Sequence, residues 1–162
     1  MTRRFYIGID PGSKGYACFH STDDGQYHHV PLADTDRMID LLNQARASGN
    51  CIALIEQVGA MPGQGLSSTF MFGQNTGITL GLLIATGIPY VRVTPAKWQH
   101  ELWDAADKVY RDRKVDTKKT SANAARRLHP GMDFRRTEKC TSTDDNKVDA
   151  TLICDYAERM NL

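Results

Sequence analysis

Four carboxylates stand at places in the sequence where an acid needs an explanation. Asp10 ends the apolar run FYIGID, and Glu56 ends the apolar run CIALIE. Asp145 and Asp149 lie four residues apart at the start of the last helical pattern, which puts them on one face of a helix. A carboxylate is costly to bury alone and like charges repel, so these acids need a shared partner.

Each acid taken singly also has an ordinary structural interpretation. Asp10 precedes Pro and Gly, which together form a common turn sequence, and Glu56 could cap a neighbouring helix or pair with a lysine. Asp145 sits in the first helical turn, where an acid favours the helix dipole, whereas Asp149 is already one turn inside. The isolated positions therefore leave both interpretations open.

Considered together, the four acids predict a metal site. Strand ends and a helix start can converge at one edge of an open α/β sheet, and an oxygen-rich cluster there suits Mg²⁺ or Mn²⁺. Two such ions about 4 Å apart can hold a phosphodiester, one activating water and the other stabilising the leaving oxygen. This chemistry needs no covalent nucleophile, and no Ser–His–Asp arrangement stands out in the sequence.

Hydrophobic periodicity predicts the elements that position these acids. Three short β-rich runs separated by turns predict an antiparallel meander, and alternating helices and strands follow it. The predicted strands cover residues 4–10, 15–21, 26–32, 51–57 and 89–95, and the predicted helices begin after Asp34, at Leu66, at Pro95, near Thr120 and near Asp144. This order predicts an α/β fold with a mixed five-stranded sheet, its first three strands antiparallel, and helices on both faces.

Composition narrows the class of protein. The chain has 162 residues, which suits one domain over residues 1–162, and we see no signal peptide and no apolar stretch long enough for a membrane span. Four cysteines without C-x-x-C spacing favour a reducing compartment such as the cytoplasm. Residues 92–139 hold thirteen Lys or Arg against seven Asp or Glu, so a basic segment accompanies the acidic site. Such a segment is either a solvated helical surface or a face for a polyanion.

Several stretches resemble RuvC-type Holliday-junction resolvases, especially the short phage-type branch of this RNase H-like group. They are YIGIDPGSKGYACF, ALIEQV, FGQNTGITLGLL, IPYVRVTPAKWQ and DDNKVDATLI, in the family's order and over nearly the whole chain. The resemblance implies an RNase H-like fold. It also implies a metal-dependent endonuclease, with two Mg²⁺ or Mn²⁺ ions, that resolves four-way and related branched DNA junctions in a bacterial or phage-infected cell.

The resemblance also implies roles for particular residues. Asp10, Glu56 and Asp149 correspond to the family's metal-binding, catalytic acids, and the fourth acid is Asp145 by position, with Asp144 adjacent. In family members with a spacing of three, the fourth position falls on Asn146. The expected DNA-binding residues are Lys14, Lys97, Arg111, Arg113, Lys114, Lys118 and Lys119. Lys118 is the expected neighbour of the scissile phosphate, whereas Lys14 could equally be an exposed turn lysine.

Two further expectations concern the junction and the assembly. Some family members carry an aromatic residue shortly after the IEQ motif that wedges the junction open, and here Met61 is the only large apolar candidate in VGAMPGQG. Related resolvases are homodimers that use the region of the long helix from Leu66. Gly73, Gly77 and Gly81 recur there every four residues and would allow close packing, against the sheet or against a second copy.

Two other function classes fit part of the sequence. The stretch DPGSKG is also similar to the first phosphate loop of actin-like and sugar-kinase phosphoryl-transfer folds. That fold needs two such domains around a nucleotide, and we expect only one here. A non-catalytic branched-DNA-binding module would need a broken set of acids, and the set is intact.

Overall fold

A five-stranded sheet with the order β3-β2-β1-β4-β5 forms the centre of the molecule. The structure is a computed structural model and describes residues 4–57, 59 and 65–162. The strands are β1 Phe5–Asp10, β2 Tyr16–Ser21, β3 Tyr27–Pro31, β4 Cys51–Glu56 and β5 Tyr90–Val93. Strands β1 to β3 are antiparallel, whereas β4 runs parallel to both β1 and β5. The predicted mixed sheet is thereby confirmed.

Within the described residues, five α-helices cover the sheet. They are α1 Thr35–Ala47, α2 Leu66–Thr86, α3 Pro95–Leu102, α4 Thr117–Leu128 and α5 Asp145–Arg159, with a 3-10 turn at Ala105–Asp107. Aspartate side chains cap the backbone N–H groups at the start of three of them: Asp34 for α1, Asp116 for α4 and Asp144 for α5. Helix α1 buries the apolar set that its spacing predicts, from Met38 to Ala45.

The core lies in two layers, one on each face of the sheet. On one face, α5 crosses β1, β2 and β4 and packs with α3 and α4 around Trp98, Leu152 and Ile153. On the other face, α1 and part of α2 pack around Ile7, Ile9 and related side chains. Because α5 carries two of the four acids, its seating on β1 sets their distance from Asp10.

Gly8 allows α5 to lie directly on β1. A Cβ atom at this position would stand 2.2 Å from the carbonyl oxygen of Ala150 and 2.3 Å from the amide nitrogen of Cys154. No side chain fits at that distance from a backbone, so the residue must be glycine for the helix to approach so closely.

Helix α2 is apolar by sequence but largely exposed in this chain. Only Thr79 and Leu83 are buried along it, while Ile84 is 66% exposed. Among the described residues, nothing beyond the local helix backbone would lie within 4 Å of a Cβ atom placed at Gly73, Gly77 or Gly81. Within the described ranges, no helix is long and apolar enough to cross a membrane.

A small hairpin interrupts the segment that the sequence marks only as polar and basic. Strands β6 Tyr110–Arg111 and β7 Lys114–Val115 pair antiparallel around a two-residue turn. Both turn residues have left-handed backbone conformations, with φ of 48° at Asp112 and 64° at Arg113. The hairpin leads straight into α4, where Asp116 accepts a hydrogen bond from the Lys119 amide at 3.1 Å.

Candidate active site

Two of the predicted acids meet at the ends of adjacent parallel strands. The register of β1 and β4 pairs Gly8 with Leu54 and Ile9 with Ile55, so Asp10 and Glu56 come next to each other at the same edge. The turn after Asp10 folds back on it, because the Gly12 amide donates a hydrogen bond to Asp10 Oδ1 at 3.0 Å. The sheet therefore brings these two carboxylates together as the sequence predicts.

Asp10 is buried in an environment that disfavours its charge. The residue is 7% exposed. Burial is the largest cause that raises its pKa to about 7, and the charges of Glu56, Asp144 and Asp145 add to the effect. The Gly12 hydrogen bond acts in the opposite direction but does not outweigh them. A cation would stabilise the charged form of a buried acid whose pKa is raised to near neutrality in this way. Such an acid is therefore a candidate metal ligand.

Asp149 faces the same edge from α5. Burial raises its pKa well above the ordinary value, and the charges of Asp10 and Glu56 raise it further, whereas a hydrogen bond with Ser121 lowers it. Its Oδ1 atom is inaccessible to solvent and has no hydrogen-bond partner among the described residues. Buried carboxylate oxygens without a partner are rare in folded proteins, and such an oxygen is often the ligand of a bound ion.

Glu56 is held in place by the core. The indole Nε1 of Trp98 donates a hydrogen bond to Glu56 Oε1 at 2.9 Å, and the Trp98 ring is fully buried in α3. Burial raises the pKa of Glu56, and the Trp98 hydrogen bond partly offsets that effect. Trp98 is therefore part of the core and also orients an acid of the site.

Asp145 points toward α4 and already has a cationic partner. The ammonium nitrogen of Lys118 lies 2.9 Å from Asp145 Oδ2, and this ion pair raises the pKa of Lys118. Both side chains are substantially exposed. Asp145 is close enough to raise the pKa of both Asp10 and Asp149.

Asp144 is engaged in structural contacts. It accepts the Asn146 amide at 3.0 Å as the cap of α5, and Arg136 Nε lies 2.5 Å from its Oδ2. Burial opposes its ionisation, but the hydrogen bonds from Arg136 and Asn146 prevail and hold the pKa of Asp144 below its ordinary value. Arg136 also donates to the Lys14 carbonyl at 3.1 Å, which joins the loop before α5 to the turn after β1.

Two asparagines lie against the turn that follows Asp10. A Cβ atom on Gly12 would stand 2.7 Å from Asn146 Oδ1 and 3.3 Å from Asp10 Oδ1, so the Asn146 amide oxygen and the Asp10 carboxylate lie on the same side of this turn, at most about 6 Å apart. Asn75 of α2 donates to the Gly12 carbonyl at 2.8 Å. The structure thus places Asn146, three residues before Asp149, beside Asp10, while Asp145 faces Lys118.

The donor set suits a hard divalent cation. Among the described residues, no group of three or more His, Cys, Asp and Glu side chains is already arranged to hold a metal ion. The fit rests instead on two observations: Asp149 has a buried, unpartnered oxygen, and the negative charge of Asp10 raises the pKa of Asp149. Carboxylate and amide oxygens are the ligands that Mg²⁺ and Mn²⁺ prefer.

Basic residues line two hollows beside these acids. One, of about 360 Å³, is lined by Lys118, Lys119, Arg126 and Asp145 among others. The second, of about 290 Å³, is lined by Lys14, Arg136, Asp144, Asp145 and Asn146 among others. Of the other predicted DNA-binding residues, Arg111, Arg113 and Lys114 lie on the hairpin, and Lys97 is exposed on α3 next to Trp98.

Solved structures of the same architecture identify the fold. The chain matches T. thermophilus RuvC in complex with a Holliday junction substrate, with a TM-score of 0.56, 14% identity, and coverage of 97% of this chain and 96% of the other. A second Thermus thermophilus RuvC structure gives a TM-score of 0.57 and 17% identity, with coverage of 96% and 95%. The chain has the RuvC fold. No protein-family profile and no curated protein matches the sequence.

The RuvC fold confirms the resemblance seen in the short motifs, and the structure adds residues that the motifs did not indicate. Arg136 binds Asp144, which lies eight positions later in the chain, and Asn75 reaches the Asp10 turn from another helix. The contact of Asn75 has no local sequence signal. For Arg136, the only signal is a pair of arginines shortly before an acidic helix start. Met61, the candidate wedge residue, lies outside the described residues.

Proposed function

We propose that this protein is a metal-dependent endonuclease that cuts four-way and related branched DNA junctions. The observation that carries the proposal is the convergence of Asp10, Glu56 and Asp149 at one edge of a RuvC fold, with pKa values raised by burial and by neighbouring negative charge. The neighbour that holds a Holliday junction substrate supports DNA as the partner.

The proposed roles follow from the position of each acid. Asp10, Asp149 and a fourth residue would hold one Mg²⁺ or Mn²⁺ ion, and Glu56 with Asp10 would hold the second or orient the attacking water. When bound, the two ions supply an activated water and stabilise the leaving oxygen. Trp98 keeps the Glu56 carboxylate fixed, and Lys118 stands where it could approach the scissile phosphate once it leaves Asp145.

Asp145 and Asn146 compete for the role of fourth ligand. Asp145 carries the charge but is paired with Lys118, whereas Asn146 places a neutral oxygen near Asp10. Asp145→Asn and Asn146→Ala therefore separate the two. We expect the substitution at the residue that binds the ion to raise the Mg²⁺ concentration needed for half-maximal cleavage. The affinity for the junction in EDTA should stay unchanged.

The central test is cleavage of a synthetic four-way junction in Mg²⁺. Asp10→Asn, Glu56→Gln and Asp149→Asn are each expected to abolish incision while junction binding in EDTA persists, because the substitutions keep shape and remove only charge. Asp40→Asn on the exposed side of α1 is the matched control and is expected to cut like the wild type. If Asp10→Asn still nicks the junction in Mg²⁺, the assignment is wrong.

A homodimer through α2 would complete the proposed enzyme, since a four-way junction has two scissile strands and a two-fold dimer has two sites. Support comes from the open spaces at Gly73, Gly77 and Gly81 and from apolar side chains such as Ile84, which the described part of the chain leaves exposed. A patch of this kind commonly marks an interface.

The dimer is tested by placing a charge on that patch. The protein should fold normally with Ile84→Lys, because this side chain is exposed. The variant should nevertheless sediment as a monomer, and its two incisions of a junction should no longer be coupled. Met160→Lys, at an exposed apolar residue near the end of α5, is the control. A wild-type chain that sediments as a monomer at micromolar concentration would overturn this part of the proposal alone.

A further inference from the structure

The hairpin β6–β7 is fixed to the edge of the candidate active site. The Asp116 amide donates to the Val109 carbonyl at 2.7 Å, and the Val109 amide donates to Thr120 Oγ1 at 3.1 Å, so both hairpin ends are tied to the first turn of α4. Lys118 in that same turn forms the ion pair with Asp145. The hairpin therefore projects from the helix turn that borders the acids.

The two sides of the hairpin differ in chemistry. Tyr110 pairs with Val115, and Arg111 pairs with Lys114. Because directly opposite residues share a face and successive residues alternate, one side presents the aromatic ring and the other presents two cations. Tyr110 is 63% exposed, which leaves most of a large aromatic side chain available to a partner.

The tip of the hairpin is conformationally strained. Asp112 and Arg113 both adopt positive φ, the geometry of a turn that usually carries Asn-Gly. Glycine would relieve the strain at position 113, but a guanidinium group stands there instead. A side chain at a strained position suggests a role outside folding.

The hairpin cations differ from several other arginines of the chain in their pairing. Arg127, Arg135 and Arg136 are each paired with an aspartate. Among the described residues, Arg111, Arg113 and Lys114 have no ion-pair partner, and they are exposed. A hollow of about 740 Å³ is lined by Arg111, Lys114 and Lys118 among others. This hollow connects the hairpin cations with the edge of the candidate active site.

We propose that this hairpin is a junction-reading element, with Tyr110 stacking on a base-pair face that is exposed at the branch point while the hairpin cations bind backbone phosphates. Aromatic rings stack on any exposed base face, and the interior of a continuous duplex offers none because each base pair is covered by its neighbours, so Tyr110 distinguishes branched from linear DNA. The cations act on both DNA forms alike. The inference rests on the proposed function, because branched DNA is the substrate proposed for the site.

The test compares affinity for a four-way junction and for a linear duplex of matched sequence, in EDTA and over a range of salt concentrations. Tyr110→Ala is expected to weaken junction binding about 5- to 150-fold while duplex binding and the salt slope stay unchanged. Tyr110→Phe is expected to bind like the wild type. Tyr90→Ala, at an exposed tyrosine on β5, is the matched control.

Arg111→Gln is expected to act differently from Tyr110→Ala. It should weaken junction and duplex binding to a similar degree and reduce the salt slope by about one, because it removes one phosphate contact. The double change Asp112→Asn with Arg113→Gly builds a favourable turn, so it should fold at least as well and still bind DNA more weakly. Wild-type binding by that variant would mean that the tip has only a structural role.

The outcomes separate this inference from the proposed function. If the wild type cuts junctions in Mg²⁺ and Tyr110→Ala keeps its full preference for junction over duplex, the hairpin proposal fails alone. If Tyr110 carries the preference but no branched DNA is cut in Mg²⁺ or Mn²⁺, the proposed nuclease activity fails alone. A wild type that binds junction no better than duplex overturns both.

Discussion

Neutralising Asp10 should stabilise the metal-free protein at the same time as it abolishes the proposed activity. The pKa of Asp10 is raised from 3.8 to about 7, so the folded state disfavours its charge. At about 1.36 kcal/mol per tenfold change in the acid dissociation constant, this shift corresponds to about 4 kcal/mol. The ionised Asp10 side chain lowers the free energy of unfolding of the wild type by that amount above pH 7. Asparagine keeps an Oδ1 acceptor for the Gly12 amide and carries no charge.

The sign of the pH dependence follows from the raised pKa. The favourable contribution of protonated Asp10 is fully present below pH 3.8 and is lost as the pH rises through about 7. Wild-type stability in EDTA should therefore fall over this window relative to Asp10→Asn. At pH 8 the variant should gain about 2–4 kcal/mol, or about 5–15 °C in Tm for a chain of this length.

Thermal unfolding in EDTA at pH 5 and pH 8, with and without Mg²⁺, measures the effect. Mg²⁺ should stabilise the wild type more than the variant and so narrow the difference between them at pH 8. Asp155→Asn is the control, because Asp155 accepts hydrogen bonds from Tyr27 at 3.0 Å and His129 at 2.7 Å and its loss should destabilise. A variant Asp10→Asn that is less stable than the wild type at pH 8, or equally offset at both pH values, would refute the reasoning.

Three further predictions concern the surroundings of the acids. Trp98→Phe removes the hydrogen bond to Glu56 and leaves a smaller apolar ring in the core, and it should lower cleavage about 10- to 100-fold in a steady-state assay. Asn75→Ala leaves the turn after β1 without its contact from α2, and it should lower the free energy of unfolding in urea by about 0.5–1.5 kcal/mol. Because Arg136 lowers the pKa of Asp144, their pairing stabilises the fold above pH 3.8 and weakens as the pH falls, so Arg136→Gln should destabilise more at pH 7 than at pH 2 in urea titrations, with a remainder at pH 2 from the lost hydrogen bond to the Lys14 carbonyl.

Local signals in the sequence predicted most of the sheet and the starts of four of the five described helices to within one residue, the exception being α4. The cap at Asp34 and the apolar spacing from Met38 to Ala45 determine α1 without any distant contact. The ends of β1 and β4 also follow from sequence, since a buried parallel pair needs continuous apolar runs and the acids mark where those apolar runs end. This is why the meeting of Asp10 and Glu56 could be predicted.

Other features depend on contacts that periodicity does not contain. Asp145 and Asn146 differ by one residue, which is about 100° around a helix, so their directions are decided by how α5 seats on the sheet. The hairpin strands have two residues each, too few for an alternating pattern, and Asp-Arg is not a usual turn sequence. For α2, the apolar spacing shows that the helix has an apolar face, but it does not show which surface packs against that face.

The seating of α5 on β1 at Gly8 also limits how this protein can diverge. The atoms that a methyl group at position 8 would meet are the backbone oxygen of Ala150 and the backbone nitrogen and Cα of Cys154. Backbone atoms are the same whatever the side chain, so no exchange at positions 150 or 154 can make room. Suppressors of Gly8→Ala would have to tilt or shift the whole helix, and Asp149 would move with it. The geometry of the acids thus depends on a glycine at position 8, and no side-chain substitution nearby can compensate for its loss.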